Sequence, residues 1–298
     1  MSDVLAIQAR LAAPPSAVYR ALTTADELRA WFAADVDVAV EHDRFGFWGR
    51  YTPQGDQPRQ WLRAVERDSR LSFSWELDGQ STNVDLRLRA ADDGHTILTL
   101  RQDNLPTLAE LMAPRGRRDG RHAMHTFWGL ALANLAEYAE GRELTPRADF
   151  GPRRSPEIRA QFAVNATPAE VFASLIDPAR IARWFGWEAE VEPRIGGRMT
   201  VGVDGKIFAF EPGSRLSYRD DEGAVVHWEL AGAEGKTYLT FVQSGYTDEE
   251  RDSAAQHEAG WFAGFAELKR MHELGDAWTP LTTELSGTEP TESADDPR

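Results

Sequence analysis

A block of sequence near the N-terminus occurs a second time, and a chain that carries one pattern twice is expected to fold as two copies of one unit. Ala13-Pro14-Pro15-Ser16-Ala17-Val18-Tyr19, Leu22 and Trp31-Phe32 return as Ala166-Thr167-Pro168-Ala169-Glu170-Val171-Phe172, Leu175 and Trp184-Phe185, at an offset of 153. Ser69-Arg70-Leu71-Ser72-Phe73 returns as Ser214-Arg215-Leu216-Ser217-Tyr218, Thr96-Ile97-Leu98-Thr99-Leu100 as Thr237-Tyr238-Leu239-Thr240-Phe241, and Trp128, Leu132 and Leu135 as Trp261, Phe265 and Leu268. The offset shrinks to 133 while the order is kept, so the second copy has lost residues between its elements. Gly141 to Pro156 is rich in Gly, Pro and Arg and lacks apolar periodicity, as a linker does. Domains are therefore expected over 1–145 and 155–280, each able to fold alone, with an acidic unstructured tail over 281–298.

Within each copy the apolar period changes in the same sequence. Alternation over Val4 to Leu11 predicts a strand, and Pro15 or Pro168 then opens a pair of short helices that end at the Trp-Phe pairs. Period-two runs follow, such as Leu71/Phe73/Trp75, Val84/Leu86/Leu88, Leu216/Tyr218 and Val226/Trp228/Leu230, and predict an antiparallel meander of about six strands. A long helix closes each copy, with Met124, Trp128, Leu132 and Leu135 on one apolar face and Trp261, Phe265, Leu268 and Met271 on the other. Thr247-Asp248-Glu249-Glu250 reads as the capping box that starts the second. The fold class is α+β.

Composition removes several functions. Cysteine is absent, which excludes disulfides, thiolate nucleophiles and Cys-ligated zinc. The 33 basic residues face 48 acidic ones, and a net charge of −15 opposes binding to nucleic acid or to an anionic membrane surface. No run of 18 apolar residues occurs, and no basic stretch precedes an apolar one at the start, so a cytoplasmic protein without membrane insertion is expected. Lysine supplies only three of the 33 basic residues, a bias that points to a GC-rich bacterial genome.

In the second copy, Pro168-Ala169-Glu170-Val171-Phe172, Ile181-Ala182-Arg183-Trp184-Phe185, Ile195-Gly196-Gly197-Arg198, Glu211-Pro212-Gly213-Ser214-Arg215-Leu216 and Gly260-Trp261 follow one another in order. This pattern resembles the domain homologous to the activator of the ninety-kilodalton heat-shock-protein ATPase, within the SRPBCC superfamily of START-like and birch-pollen-allergen-like proteins. The first copy is more diverged, with Arg44-Phe45-Gly46 in place of the double glycine. The resemblance implies two tandem helix-grip domains, each a curved antiparallel sheet wrapped around a long C-terminal helix. It also implies a space between sheet and helix that takes apolar or amphipathic small molecules. Where the family often has a histidine after the last strand, this chain has Gln102 and Gln243.

No nucleophile elbow, phosphate-binding loop or zinc-protease motif is present. His122 and His125 lie three apart on the first closing helix and read as surface histidines rather than metal ligands. His257 lies on the apolar stripe of the second, four residues before Trp261, either facing a ligand or bonded to backbone or water. Alternation leaves Arg63 inward, where it can bind a carboxylate, or outward in solvent, and the repeat aligns it with Phe208. Trp31, Trp128, Trp184 and Trp261 recur at matching positions and read as core, with Trp261 also bordering the space. Phe45, Phe47, Phe73, Trp75, Phe208, Phe210, Tyr218 and Trp228 read as either cavity wall or core. The Arg115, Arg117, Arg118, Arg121 run is a solvated loop or a dock for an acidic segment. The functional reading is non-enzymatic binding of a small hydrophobic molecule, with no cofactor. A chaperone-associated or other protein-interaction module is the second class, and a cyclase or hydratase the third.

Overall fold

The computed structural model describes residues 3–91, 93–111, 120–233 and 235–285. The first half runs β1 (Asp3–Leu11), α1 (Pro15–Thr23), α2 (Ala25–Trp31), β2 (Asp35–Ala39), β3 (Arg44–Trp48), β4 (Gln60–Glu66), β5 (Arg70–Leu77), β6 (Gln80–Ala90), β7 (Thr96–Leu105), α3 (Leu108–Leu111) and α4 (Met124–Ala139). The second repeats this order as β8 (Ile158–Val164), α5 (Pro168–Ile176), α6 (Pro178–Phe185), β9 (Ala189–Val191), β10 (Met199–Val201), β11 (Gly205–Glu211), β12 (Arg215–Asp220), β13 (Val225–Ala233), β14 (Lys236–Ser244) and α7 (Arg251–Leu274), followed by β15 (Thr282–Glu284). The sheets are antiparallel, ordered β15-β1-β7-β6-β5-β4 and β11-β12-β13-β14-β8, with β2-β3 and β9-β10 as separate hairpins. This is the expected α+β architecture, two helix-grip units with α4 and α7 as the gripped helices.

Local chemistry starts and stops the elements. Thr167 and Glu170 form a reciprocal capping box at α5, whose first position is Pro168, where a missing N–H costs nothing. Asp177 accepts from the Ala179 and Arg180 N–H groups to start α6, and Gly186, at φ +80°, ends it. The capping box at Thr247 and Glu250 forms as expected, on a short turn that leads into α7.

Both copies interrupt the strand after the hairpin with the same bulge. The pairing steps from Leu62 to Ala64 against Phe73 and Ser72, and from Ile207 to Ala209 against Tyr218 and Ser217, leaving Arg63 and Phe208 unpaired. One extra residue reverses the alternation, so both of these side chains are exposed on the outer face. An inward place for either is thereby corrected.

The halves are less separate than the composition of the linker suggested. Thr126 meets Gly260, Gly129 meets Ala263, and Glu137 bonds to Lys269, so α4 and α7 pack side by side and run in the same direction. At Gly260 an added Cβ would lie 3.3 Å from Thr126 Cγ2, so the glycine permits the approach. Lys269 Nζ donates to Glu137 Oε1 at 2.8 Å and to the Glu143 carbonyl at 2.9 Å, and the Thr145 hydroxyl donates to Glu137 at 2.9 Å. The connecting segment is thus tied down: Thr145, Ala148 and Arg154 are buried, and Glu258 accepts the Asp149 N–H at 2.7 Å. Polar composition predicted solvation here, but Glu137, Thr145 and Lys269 bond to one another in the interior instead.

The acidic segment also begins with order rather than without it. Thr282, Thr283 and Glu284 pair antiparallel with Ala9, Gln8 and Ile7, and Leu281 is buried in the core of the first half. Glu267 of α7 holds the crossing, accepting the Leu281 N–H at 2.8 Å and the Trp278 indole at 3.0 Å. Strand pairing uses backbone groups, and β1 offers an open edge within reach, so side-chain composition does not decide the matter. Residues 286–298, like Arg115, Arg117 and Arg118, lie outside the described residues.

Candidate functional site

Each half fixes its helix to its sheet with the same bonds. Trp128 Nε1 donates to Gln102 Oε1 and Trp261 Nε1 to Gln243 Oε1, both at 2.6 Å. The two glutamines standing at the histidine position therefore have a role, as acceptors that orient the indole of the gripped helix. Trp31 donates to the Ala21 carbonyl and Trp184 to that of Ser174, while Thr96 and Thr237 donate to those of Ala13 and Ala166. These repeated bonds make positions in the two halves directly comparable.

In the first half, aromatic rings fill the space between sheet and helix. Phe45, Phe47, Phe73 and Trp75 are all buried, with Phe45 4.9 Å from Phe73 and Phe47 5.0 Å from Trp75 between ring centroids. Phe127 and Trp128 close the cluster at 5.6 and 6.1 Å from Trp75. Four residues that could have lined a cavity here occupy it instead.

The second half fills the same frame differently. Strand register places Met199 and Val201 where the first half has Phe45 and Phe47, Tyr218 in place of Phe73, and Trp228 in place of Leu86. The offsets carried by the flanking landmarks put Asp220 at the position of Trp75, Tyr246 at Leu105, His257 at Met124 and Gly260 at Phe127. Trp228 reaches the gripped tryptophan from the neighbouring strand, 5.7 Å from Trp261, so the deep end stays packed. Towards the hairpin the bulk is gone. Val191, Val201 and Phe210 are only partly buried, Phe210 resting edge-on against Phe172 at 5.6 Å.

Polar groups replace that bulk. The Tyr246 hydroxyl meets Nδ1 of the exposed His257 at 2.5 Å, a side-chain partner that residue order did not foretell. Burial, reinforced by the Asp220 carboxylate, pushes the acidity constants of both Tyr218 and Tyr246 well up, so both phenols stay protonated. Trp228 Nε1 is buried without an acceptor at hydrogen-bonding geometry, beside the Tyr218 hydroxyl. Asp220 itself accepts the Ala224 N–H at 2.7 Å. Aligning Gly245-Tyr246 with Asn104-Leu105 at the end of β7 flags Tyr246, because its counterpart is apolar.

Elsewhere, a shallow depression of about 290 Å³ in the first half is lined by Arg10, Arg89, Ala91, Asp93 and Ile97, where Arg10 pairs with Asp93. It is remote from either sheet–helix space. Among the described residues no group of three His, Asp or Glu side chains is placed to hold a metal ion, and no helix is long and apolar enough to cross a membrane.

A family model described as Activator of Hsp90 ATPase homolog 1-like protein matches residues 12–140 and again 165–273. The chain belongs to that family. Its solved neighbours include protein MLL2253 from Mesorhizobium loti (22% identity, TM-score 0.37, covering 40% of this chain and 98% of that one). The Aha1 dimer from Colwellia psychrerythraea is similar at 18% identity and TM-score 0.37, over 40% and 98%. DynU16, from the dynemicin biosynthetic locus, is similar over 90% of this chain and 98% of its own, at 16% identity and TM-score 0.36. No curated protein matched.

Proposed function

We propose that the second half binds a small hydrophobic or amphipathic molecule between its sheet and α7, holding it without chemical change, while the first half acts as a scaffold. The observation that carries this reading is the exchange, on one frame, of Phe45 and Phe47 for Met199 and Val201. Residues of Phe volume bury an interior, whereas their smaller counterparts leave apolar walls for something else to cover. Covering ~300–400 Å² of apolar surface at ~25 cal/mol per Å² suffices for micromolar binding if little has to be ordered. Titrating the full chain with fatty acids, flavonoids and polyketide-like aromatics, read by tryptophan fluorescence, tests this. Saturable binding that is lost in Val201→Phe, which restores the bulk of Phe47, is the expected result. No saturation with any class would overturn the reading.

A protein partner is the second reading, and one feature favours it. The Gly196 N–H donates to the Ile207 carbonyl at 2.7 Å, which brings exposed Ile195 (67%) next to exposed Phe208 (44%) on the outside of the second half. An apolar patch of this kind suits a protein contact. Binding to a chaperone or other protein that survives Val201→Phe but fails in Phe208→Ser would promote it.

A further inference from the structure

We infer that the acidic segment 286–298 docks on this chain itself, across the outer face of the first half's sheet, where arginines left without a carboxylate receive Glu289, Glu292, Asp295 and Asp296. This contact is independent of what the second half binds.

That face holds more cations than its own acids engage. Asp85 is shared by Arg70 and Arg87, Asp93 at the β6–β7 turn pairs with Arg10, Glu76 with Arg59, and Glu66 with Arg70 at 3.5 Å. Asp103 accepts from the Asn83 N–H and from its side-chain amide. Arg63, Arg89 and Arg101 are then left without a carboxylate partner among the described residues.

Strand register lines these side chains up with the departing chain. Ala6 pairs with Arg101, Arg101 with Asp85, Asp85 with Ser72 and Ser72 with Ala64, next to the bulged Arg63. The Leu285 N–H donates to the Ala6 carbonyl at 2.9 Å, so the last described residue stands at the edge end of that same row. Arg101 lies two strand spacings away, ~10 Å, within reach of Glu289 four residues on. Residues 286–298 span up to ~43 Å when extended, enough to cross all six strands.

The second half provides the control. Register places Phe208, Val242 and Ala231 where the first half has Arg63, Arg101 and Arg89, and its edge strand β8 pairs with β14 alone. The spare arginines and the strand that leads into the tail thus belong to one sheet, although the tail follows the other half in sequence. Single exposed ion pairs are weak, but several carboxylates tethered at the edge of their site act at high effective concentration.

The chain has no cysteine, so Ser293→Cys carries a single nitroxide on the full chain. Amide signals of β6 and β7 around Asp85 and Arg101 are expected to lose ~2-fold or more in intensity at low salt and to recover near ~1 M salt, where the Debye length is about 3 Å. They should recover equally in the Arg63→Ser, Arg101→Ser double variant. In a second measurement, a labelled peptide copying 286–298 is added to the native chain and to one carrying Glu289→Gln, Glu292→Gln, Asp295→Asn and Asp296→Asn. It should bind the neutralised chain ~10-fold more tightly, because the native tail already occupies the face. Unperturbed β6 and β7 amides, signal loss confined to the neighbourhood of Arg115 to Arg121, or broadening that the double variant leaves untouched would overturn the inference. Equal binding of the peptide to both chains would overturn it too.

Discussion

The two halves share a frame down to single hydrogen bonds, yet they put opposite things inside it. Gln102 and Gln243 orient the same tryptophan, and the same bulge turns Arg63 and Phe208 outward. Within that frame one half packs Phe45, Phe47, Phe73 and Trp75 ring to ring, while the other buries Tyr218 and sets Tyr246 against the exposed His257. The first copy sets aromatic rings at these positions, and the second sets phenol and imidazole groups. Both lend a helix to one interface, so the two halves form one body.

The largest expected effect tests that last point. Lys269→Met leaves Glu137 buried with no countercharge and should destabilise the whole chain by ~3–5 kcal/mol, whereas replacing both residues with Met should restore most of the loss. Denaturant unfolding of the single and double variants measures it. A single variant that costs under ~1 kcal/mol would mean the halves are held together by something else.

The packing contrast itself can be broken at one pair of equivalent positions. Phe47→Ala should cost ~3–5 kcal/mol, because it empties a close-packed cluster, and Val201→Ala no more than ~1 kcal/mol. Equal losses would mean that the second half is as full as the first.

The smallest effect is a pH dependence confined to the second half. Burial lowers the pKa of His272 from its ordinary 6.5, against an opposing pull from Glu170, and its Nε2 meets the Ser174 hydroxyl at 3.1 Å. A group whose folded pKa is depressed contributes fully above its unfolded value, and that contribution is lost as pH falls through the folded value. Stability should therefore decline below about pH 6.5, and the decline should vanish in His272→Gln. The first half has Ala139 at this position and lacks the effect. An unchanged slope in the variant would place the titration elsewhere.

Much of this was readable from residue order. The strand-helix-helix-meander-helix series follows from apolar periods, and Thr167-Pro168, Asp177-Pro178 and Thr247 to Glu250 mark helix starts by chemistry that acts within one turn. Tyr218 and Trp228 stand out by strand alternation and are buried, whereas Tyr246, a lone tyrosine after a glycine, carries no local signal. Arg63 and Phe208 showed the limit of alternation as a guide, because a bulge is a property of two paired strands.

The sequence by itself determined that one unit is used twice, what elements compose it and in what order, since periodicity and capping depend on residues within a few positions of each other. Tertiary structure alone decided that Gln102 and Gln243 bind tryptophans, that α4 and α7 pack side by side around Glu137 and Lys269, and that Thr282–Glu284 returns to the edge of β1. Each of those contacts joins residues whose partners are set by where chains meet in space. Three residues of an acidic tail carry no pattern that foretells a strand; the open hydrogen-bonding edge that they meet supplies it.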